Sequence, residues 1–147
     1  MELKLDMAVF SKSVSELVKK AEELAGDKVH EAGLEIVTTL TDKTLAESVK
    51  RAPIDEGMLQ ASHERTIEDG GTFGTIEGAV FIPANSPASD YALYMHEGHY
   101  KLGPASARKQ ATQKEIVGRK YLERALNDNI NRFRVYILRR LRKVFES

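Results

Sequence analysis

The chain contains no cysteine and no long uninterrupted apolar run. Without cysteine it has no disulfide framework, no thiol nucleophile and no thiolate metal site. A helix that spans a bilayer needs about 20 consecutive apolar residues, so the sequence predicts no membrane span. The residues from Met1 to Asp6 also lack the basic start and apolar stretch of a secretory signal. We therefore expect a protein that is made in a reducing cytoplasm.

What is present fits one folded domain. The chain has 147 residues, of which 41% are hydrophobic and 30% are charged. These proportions are ordinary for a globular protein and argue against wholesale disorder. A chain of this length can bury a core of its own, and no internal repeat or clear linker divides it. The sequence therefore predicts a single domain over residues 1–147.

The net charge is zero, but the charges are unevenly distributed. Residues 1–99 carry 9 Lys and Arg against 18 Asp and Glu, whereas residues 100–147 carry 13 against 4. One interpretation is compensation within the fold, with a basic C-terminal helix lying across an acidic remainder. The other is an intermolecular role, in which the basic face meets a neighbouring copy's acidic face or faces DNA. The sequence leaves both interpretations open.

The N-terminal part has the pattern of helices. Apolar residues recur at steps of three to five between residues 14 and 40, and Ser13 with Glu16 fits a capping box. Gly26 interrupts the pattern, which therefore predicts either two helices, over 11–25 and 27–51, or one long helix kinked at Gly26. Pro53 ends the run, because proline disfavours helical geometry in the residue before it.

The middle of the chain has the pattern of an antiparallel hairpin. Side chains alternate along residues 58–67, and Asp69-Gly70-Gly71-Thr72 is typical of a hairpin turn. The partner strand is expected over residues 73–83. Its apolar side chains share one face: Ile76, Val80 and Ile82. Residues 91–97 are too short for their period to decide between a third strand and a helical turn.

The C-terminal part combines a loop and an amphipathic helix. Residues 98–120 are polar and lack a sustained period, so we expect an extended loop in which part of 105–116 is weakly helical. A helical stripe follows: Leu122, Leu126, Ile130, Phe133, Ile137, Leu141 and Val144. Arg140 falls inside this apolar arc, so either its stem extends to solvent or the last turns meet another subunit.

Together these segments predict an α+β fold. It has an N-terminal helix pair or one long kinked helix, and a small antiparallel β-sheet made of a hairpin and a possible third strand. A long loop and a C-terminal amphipathic helix complete it.

The densest group of chemically active side chains is His96, Glu97 and His99. It superficially resembles a zinc-protease helix, which needs histidines four residues apart so that both rings share a helix face. Here the spacing is three, glycine intervenes and no third ligand is evident. An ordered turn or an interface is therefore favoured over a metal site.

Two further kinds of active site are discounted. Asp55 and Glu56 are adjacent carboxylates, but adjacent side chains point apart and the Pro-x-Asp-x-Gly corner is explained by turn geometry. Gly70-Gly71 and the stretch 98–103 lack the Gly-Lys-Ser/Thr ending of a phosphate-binding loop. We therefore expect no catalytic residue, no metal and no cofactor, and a protein that is not an enzyme.

Three short stretches occur in a fixed order, each at an expected boundary between elements. The first has Ala52, Pro53, Asp55, Gly57 and Leu59. The second has Tyr91, Ala92, Tyr94, Glu97 and Gly98. The third has Tyr121, Leu122 and Ala125. In this order, over roughly residues 8–145, the chain resembles the HK97 gp10-like family of tailed-phage neck proteins. It departs at Arg119-Lys120-Tyr121-Leu122, where the family often has proline before the aromatic residue.

The resemblance implies a structural virion protein of the phage neck that acts in tail completion or head–tail joining. It implies a ring-forming subunit with the symmetry of the tail, commonly a hexamer, made in the host cytoplasm and located at the head–tail junction. Its partners would be copies of itself, the adjacent neck, connector or tail-tube proteins, and possible DNA passing through the channel. Neither a membrane nor a small-molecule substrate is expected.

Interface candidates follow from residue type and position. Aromatic, Met and His side chains cluster near the loop: Tyr94, Met95, His96 and Tyr100. The last helix adds basic candidates: Arg132, Arg139, Arg140, Arg142 and Lys143. Core packing is the alternative role for Tyr91 and Met95.

The alternative function is a nucleic-acid-binding accessory protein that uses the basic segment 100–147. This segment carries basic side chains before the last helix as well: Lys101, Arg108, Lys109, Lys114, Arg119 and Lys120. However, the chain as a whole is neutral, whereas a dedicated nucleic-acid binder is typically basic.

Overall fold

The structure, a computed structural model, describes residues 3–6, 27–54, 56–72 and 74–146. The helix predicted over 11–25, and Asp55 of the first motif, lie outside the described residues. None of the helices in the described ranges combines the length and the apolar content that a bilayer crossing needs.

The α+β class predicted from the sequence is confirmed. In chain order the elements are β1 (Leu3–Asp6), α1 (Asp27–Arg51), α2 (Met58–Ala61), β2 (Glu64–Asp69), β3 (Ile76–Ile82), α3 (Ser89–Glu97), α4 (Pro104–Ala111), α5 (Tyr121–Asn127) and α6 (Ile130–Glu146).

The sheet has three antiparallel strands in the order β1-β3-β2. The predicted hairpin is confirmed: Asp69 pairs with Ile76 across a turn in which Gly71 has φ +87°, a conformation that favours glycine. The third strand is β1, which pairs with the other edge of β3. Of the two alternatives for residues 91–97, the helix is correct, because they belong to α3.

Helix α1 is the centre of the packing. One side of it contacts β2 and β3, and another side contacts α5 and α6. Val29, Ile36 and Leu40 of α1 pack against the predicted apolar stripe, whose members Leu126, Phe133, Ile137 and Leu141 are buried. A second cluster joins α2, β3, α3 and α5: its fully buried members include Leu59, Val80, Ile82, Ala92 and Tyr121. The two clusters place the sheet and α6 on different sides of α1.

The strand predicted over residues 58–67 is wrong at its beginning, because residues Met58–Ala61 form α2. Gly57 adopts φ +81°, which redirects the chain, and its carbonyl accepts a 3.0 Å hydrogen bond from the Ala61 N–H. Leu59 and His63 are both buried whereas Ala61 between them is exposed, and in a strand these three side chains would share one face.

Two expectations for the C-terminal part also need correction. Residues 98–120 are not one extended loop: the helical part that was expected within 105–116 is helix α4, which begins at Pro104, where the missing N–H of proline costs nothing. The final helix is not continuous, because residues 128–129 form a turn between α5 and α6. There the buried Asn129 side chain donates a 2.9 Å hydrogen bond to the Ala125 carbonyl, and such bonding competes with the regular helix.

Candidate interaction surfaces

The three motif stretches meet in one place. Ala52 and Leu59 of the first, Ala92 of the second and Tyr121 of the third share one buried cluster. The Tyr121 hydroxyl donates a 3.0 Å hydrogen bond to the Ala92 carbonyl, which joins α5 to α3. Burial raises the pKa of this hydroxyl well above its ordinary value. These motif residues therefore serve packing.

Helix α4 is held against the C-terminal end of α1 by specific polar contacts. The Lys109 ammonium donates 2.6 Å hydrogen bonds to the carbonyls of Val49 and Ala52. Ser106 donates to the Ile54 carbonyl at 2.9 Å and accepts from the Ile54 N–H at 2.8 Å. Burial lowers the pKa of Lys109 to about 8, which leaves it mostly charged at neutral pH. Lys109 therefore acts as a cap on α1, and no signal in its own neighbourhood of the sequence indicates this.

His96 and Glu97 form a link between α3 and the residue that precedes α5. His96 Nδ1 lies 2.7 Å from Glu97 Oε1, and the other carboxylate oxygen accepts a 2.6 Å bond from the Lys120 ammonium. The His96 side chain is buried, whereas His99 is exposed. Among the residues that the structure describes, no three His, Asp or Glu side chains are placed to hold a metal ion.

The burial of His96 removes it from the set of surface interface candidates. Its ring meets the Tyr121 ring edge-on at 5.0 Å between centroids, and the residue is 5% exposed. Burial is the main cause that lowers the pKa of this imidazole. The sequence placed His96 with Tyr94 and Met95, but consecutive residues of a helix point in different directions. The interface role expected for His96 therefore does not fit the structure.

Helix α1 also has a buried polar stripe, which was not predicted from the sequence. Its members recur at steps of three, four and three: Thr41, Thr44, Ser48 and Arg51. The Ser48 hydroxyl lies 2.7 Å from Nε2 of the buried His63, whose Nδ1 lies 2.8 Å from the Leu59 carbonyl. Because a carbonyl only accepts, Nδ1 carries the proton and Nε2 accepts from the serine. Burial lowers the pKa of His63, which agrees with a neutral ring.

Arg51 closes this stripe with a buried charge. Its guanidinium donates to the Glu47 carboxylate at 2.5 Å and to the Asp128 carboxylate at 3.3 Å. The residue is 3% exposed, so the two carboxylates compensate for the loss of its hydration. Asp128 lies in the turn between α5 and α6, and the ion pair fixes that turn to the end of α1.

Three of the aromatic and Met candidates lie together at the surface. Met95 and Tyr100 line a groove of about 320 Å³ with Pro53, Ile54 and Leu102. The Tyr94 ring packs on the Tyr100 ring at 5.8 Å between centroids, and Tyr94 is 58% exposed. We call this surface the aromatic groove. It joins a half-open apolar hollow to an exposed aromatic side chain, a combination that is common in protein interfaces.

The basic candidates on α6 lie mostly on its exposed side. Arg132, Arg139, Arg142 and Lys143 are all exposed. Arg140 differs, because its guanidinium forms an ion pair with Glu35 of α1. Arg140 therefore needs no second subunit. Its aliphatic stem extends from the apolar arc of α6 to the edge of α1, where the guanidinium meets Glu35.

The exposed side of α6 also carries apolar side chains that the sequence analysis overlooked. Val135, Leu138 and Phe145 are 54%, 58% and 55% exposed. Together with Arg142 they recur at steps of three, four and three, the same period that revealed the buried stripe. We call the surface formed by Val135, Leu138, Arg139 and Arg142 the basic helix face.

A second charged surface lies on the sheet. Residues of β2 and β3 alternate between the side that faces α1 and the outer side. Gly78 and Val80 face α1, so their neighbours Glu77 and Phe81 lie on the outer side. Glu64 is paired with Phe81 and Glu68 with Glu77, which places three exposed carboxylates there. We call Glu64, Glu68, Glu77 and Phe81 the acidic sheet face.

No family model, no curated protein and no solved structure matches this chain. The resemblance to the HK97 gp10-like family therefore remains a prediction from the sequence.

Proposed function

We propose that this chain is a structural subunit of the neck of a tailed phage, acting in tail completion or head–tail joining. The observation that carries the proposal is the presence of two exposed faces of opposite charge on a small α+β unit. A subunit with two different complementary faces can join copies head to tail, and such contacts generate rings when they close. The ordered motif set of the HK97 gp10-like family supports the same assignment.

The motif residues support a scaffolding role in place of chemistry. Each of the three stretches contributes to one packed cluster, and the polar groups near them are used in caps and links between elements. Tight corners around a central helix hold the exposed faces in fixed positions. A ring subunit needs such rigidity, because small angular errors at each contact would prevent closure.

The aromatic groove is the surface that we assign to the adjacent neck, connector or tail-tube proteins. Tyr94 is the exposed aromatic side chain at its edge, and exposed tyrosines are frequent binding hot spots. Tyr94→Ala should leave the unfolding free energy within about 0.5 kcal/mol of wild type. It should nevertheless weaken binding to purified tails or connectors at least tenfold, about 1.4 kcal/mol.

The test of this function is removal of the gene from the phage genome that carries it. Electron microscopy should then show unjoined heads and tails, and a plasmid copy of the gene should restore joined particles. Mass spectrometry of purified complete virions should detect the chain. Joined, infectious particles in the absence of the protein would refute the proposal.

A second candidate is a nucleic-acid-binding accessory protein, and the exposed arginines of α6 favour it. It predicts DNA affinity that falls steeply with salt and loses about one unit of salt slope for each phosphate-contacting arginine removed. Arg139→Gln is the variant to compare with wild type, since Arg139 is exposed on α6. Binding that is absent or insensitive to salt would eliminate this candidate.

A further inference from the structure

The three carboxylates of the acidic sheet face have no ion-pair partner among the described side chains. Glu64, Glu68 and Glu77 are exposed, and none of them forms an ion pair with a described side chain of residues 27–54, 56–72 or 74–146. The two other charged residues of β2 behave differently, because they reach α1: Arg65 pairs with Asp42 at 2.9 Å and Asp69 with His30 at 3.0 Å. Among the described side chains, the charges on the inner side of β2 are thus paired, whereas the carboxylates on its outer side have no ion-pair partner.

Glu68 and Glu77 stand directly opposite each other on neighbouring strands. Like charges in that position destabilise a sheet, by a fraction of a kcal/mol up to about 1 kcal/mol. A cation from outside the sheet removes this repulsion. The arrangement is therefore one that a basic partner would stabilise.

The basic helix face has the complementary composition. Arg139 and Arg142 are exposed and make no ion pair within the residues that the structure describes, in contrast to their neighbour Arg140. Val135 and Leu138 add exposed apolar area between the charges, and the acidic sheet face offers the half-buried Phe81. An apolar centre with arginine around it is the usual composition of a protein interface.

The two faces cannot satisfy each other inside one molecule. The acidic sheet face lies on the side of the sheet that is turned away from α1. The basic helix face lies on the side of α6 opposite the apolar stripe that packs on α1. Because both faces point outward from a common central helix, a cation on one does not reach an anion on the other.

We propose that the acidic sheet face of one copy docks on the basic helix face of a second copy of this chain. Charge complementarity and the overall neutrality of the chain identify the partner, because each copy supplies both signs in equal amount. The contact is heterologous, so every copy that binds leaves one free face of each kind until a ring closes. This docking is the contact between neighbouring subunits of the proposed ring. It rests on the proposed neck function only in taking from it that copies of the chain associate.

Charge reversal on each face tests this contact. The helix variant is Arg139→Glu with Arg142→Glu, and the sheet variant is Glu64→Lys with Glu68→Lys. All four side chains are exposed, and circular dichroism and thermal unfolding should show an intact fold. Controls with the same change in net charge at other exposed sites are Lys101→Glu with Lys114→Glu, and Glu56→Lys with Asp90→Lys.

Analytical ultracentrifugation at low salt gives the readout. Wild type and both controls should sediment as an assembly, whereas each single-face variant should sediment at the 16.4 kDa of one chain. An equimolar mixture of the two single-face variants should regain the assembly, and so should one chain that carries all four reversals. Such rescue requires that the two faces meet each other.

Several outcomes would overturn the contact. These are a wild-type chain that is monomeric at its highest soluble concentration, a single-face variant that assembles normally, and a mixture that fails to regain the assembly. If the helix variant alone loses binding to a DNA duplex while the sheet variant keeps it, and neither changes the mass, the basic helix face serves DNA. If phages without the gene still form joined particles but the mixture of the two variants regains the assembly, the neck function is refuted and the contact between copies is supported.

Discussion

At the scale of single residues, Gly78 is the point where the sheet approaches helix α1 most closely. A Cβ atom at this position would overlap Oγ1 of Thr41 and lie 3.2 Å from Cγ1 of Val37. Gly78→Ala should therefore destabilise the fold by about 1–3 kcal/mol, the usual cost of overpacking. Urea unfolding measures the difference, with Gly103→Ala as the control, since nothing lies within 4 Å of a Cβ there.

A double-mutant cycle shows whether that contact is the cause. In the background Thr41→Ala, which removes Oγ1, the penalty of Gly78→Ala should be smaller by at least about 0.5 kcal/mol. Equal penalties in the two backgrounds would mean that another neighbour or the backbone is responsible.

His63 makes the stability of the fold sensitive to mild acid. Burial lowers the pKa of His63 below its ordinary value of 6.5. As the pH falls through about 6.5 the unfolded state therefore binds a proton that the folded state does not, and the stability falls. Urea midpoints at about pH 7.5 and pH 5.5 should differ less for His63→Asn than for wild type. The exposed His99→Asn is the control and should keep the wild-type difference.

The pH range in which His63 lowers the stability of the fold is separate from the range in which Glu97 does so. Hydrogen bonds from Lys120 and His96 hold the pKa of Glu97 below its ordinary value of 4.5. Its contribution is therefore present above about 4.5 and is lost at lower pH. If His63→Asn and wild type lost the same stability between pH 7.5 and 5.5, the neutral buried ring inferred for His63 would be wrong.

Single residues also show what the sequence could predict. The turn at Gly70-Gly71 and the stop before Pro53 depend on local geometry, and both are where the pattern placed them. The partners of His63 and Lys109 are in other elements, brought near only by folding, so no local pattern indicates them. His96 was misassigned because residue type does not reveal which way a side chain points.

At the scale of elements, Lys109 of helix α4 provides two of the hydrogen bonds that attach α4 to the end of α1. Lys109→Met keeps most of the apolar stem but removes the donors to the carbonyls of Val49 and Ala52. Those carbonyls lie where the helix dipole favours a cation, so the variant should lose about 1–3 kcal/mol of stability. Lys114→Met is the matched control, because Lys114 is exposed. Chemical unfolding compares the two variants, and equal stabilities would contradict the capping role.

The periodic spacing of apolar residues predicted a helix reliably only where it continued over several turns. The apolar stripe of the last helices extends over six turns, and its buried members match the prediction despite the turn at 128–129. Helices α2 and α4 have four and eight residues, too few to show a period above their polar surroundings. The exposed side of α6 has the same helical period, and that period also predicts the shared face of Val135, Leu138 and Phe145.

At the scale of the whole molecule, the uneven charge of the chain becomes a spatial separation. The acidic side chains of β2 and β3 and the basic side chains of α6 point outward on different sides of α1. Of the two interpretations that the sequence left open, this arrangement supports the intermolecular one. Among the described residues, internal compensation takes the form of particular pairs, such as Arg140 with Glu35 and Arg51 with Glu47.

Salt should therefore affect assembly and folding differently. The Debye length falls from about 30 Å at 0.01 M salt to about 3 Å at 1 M, which screens exposed faces far more than a buried pair. The assembled mass should fall as salt is raised over this range, whereas the urea midpoint of a monomeric single-face variant should change little. In that monomer the ion pair between Arg51 and Glu47 is shielded from the salt, because Arg51 is only 3% exposed. Sedimentation and urea unfolding in the same buffers measure both quantities, and an assembled mass that is constant across the salt series would show that charge does not hold the copies together.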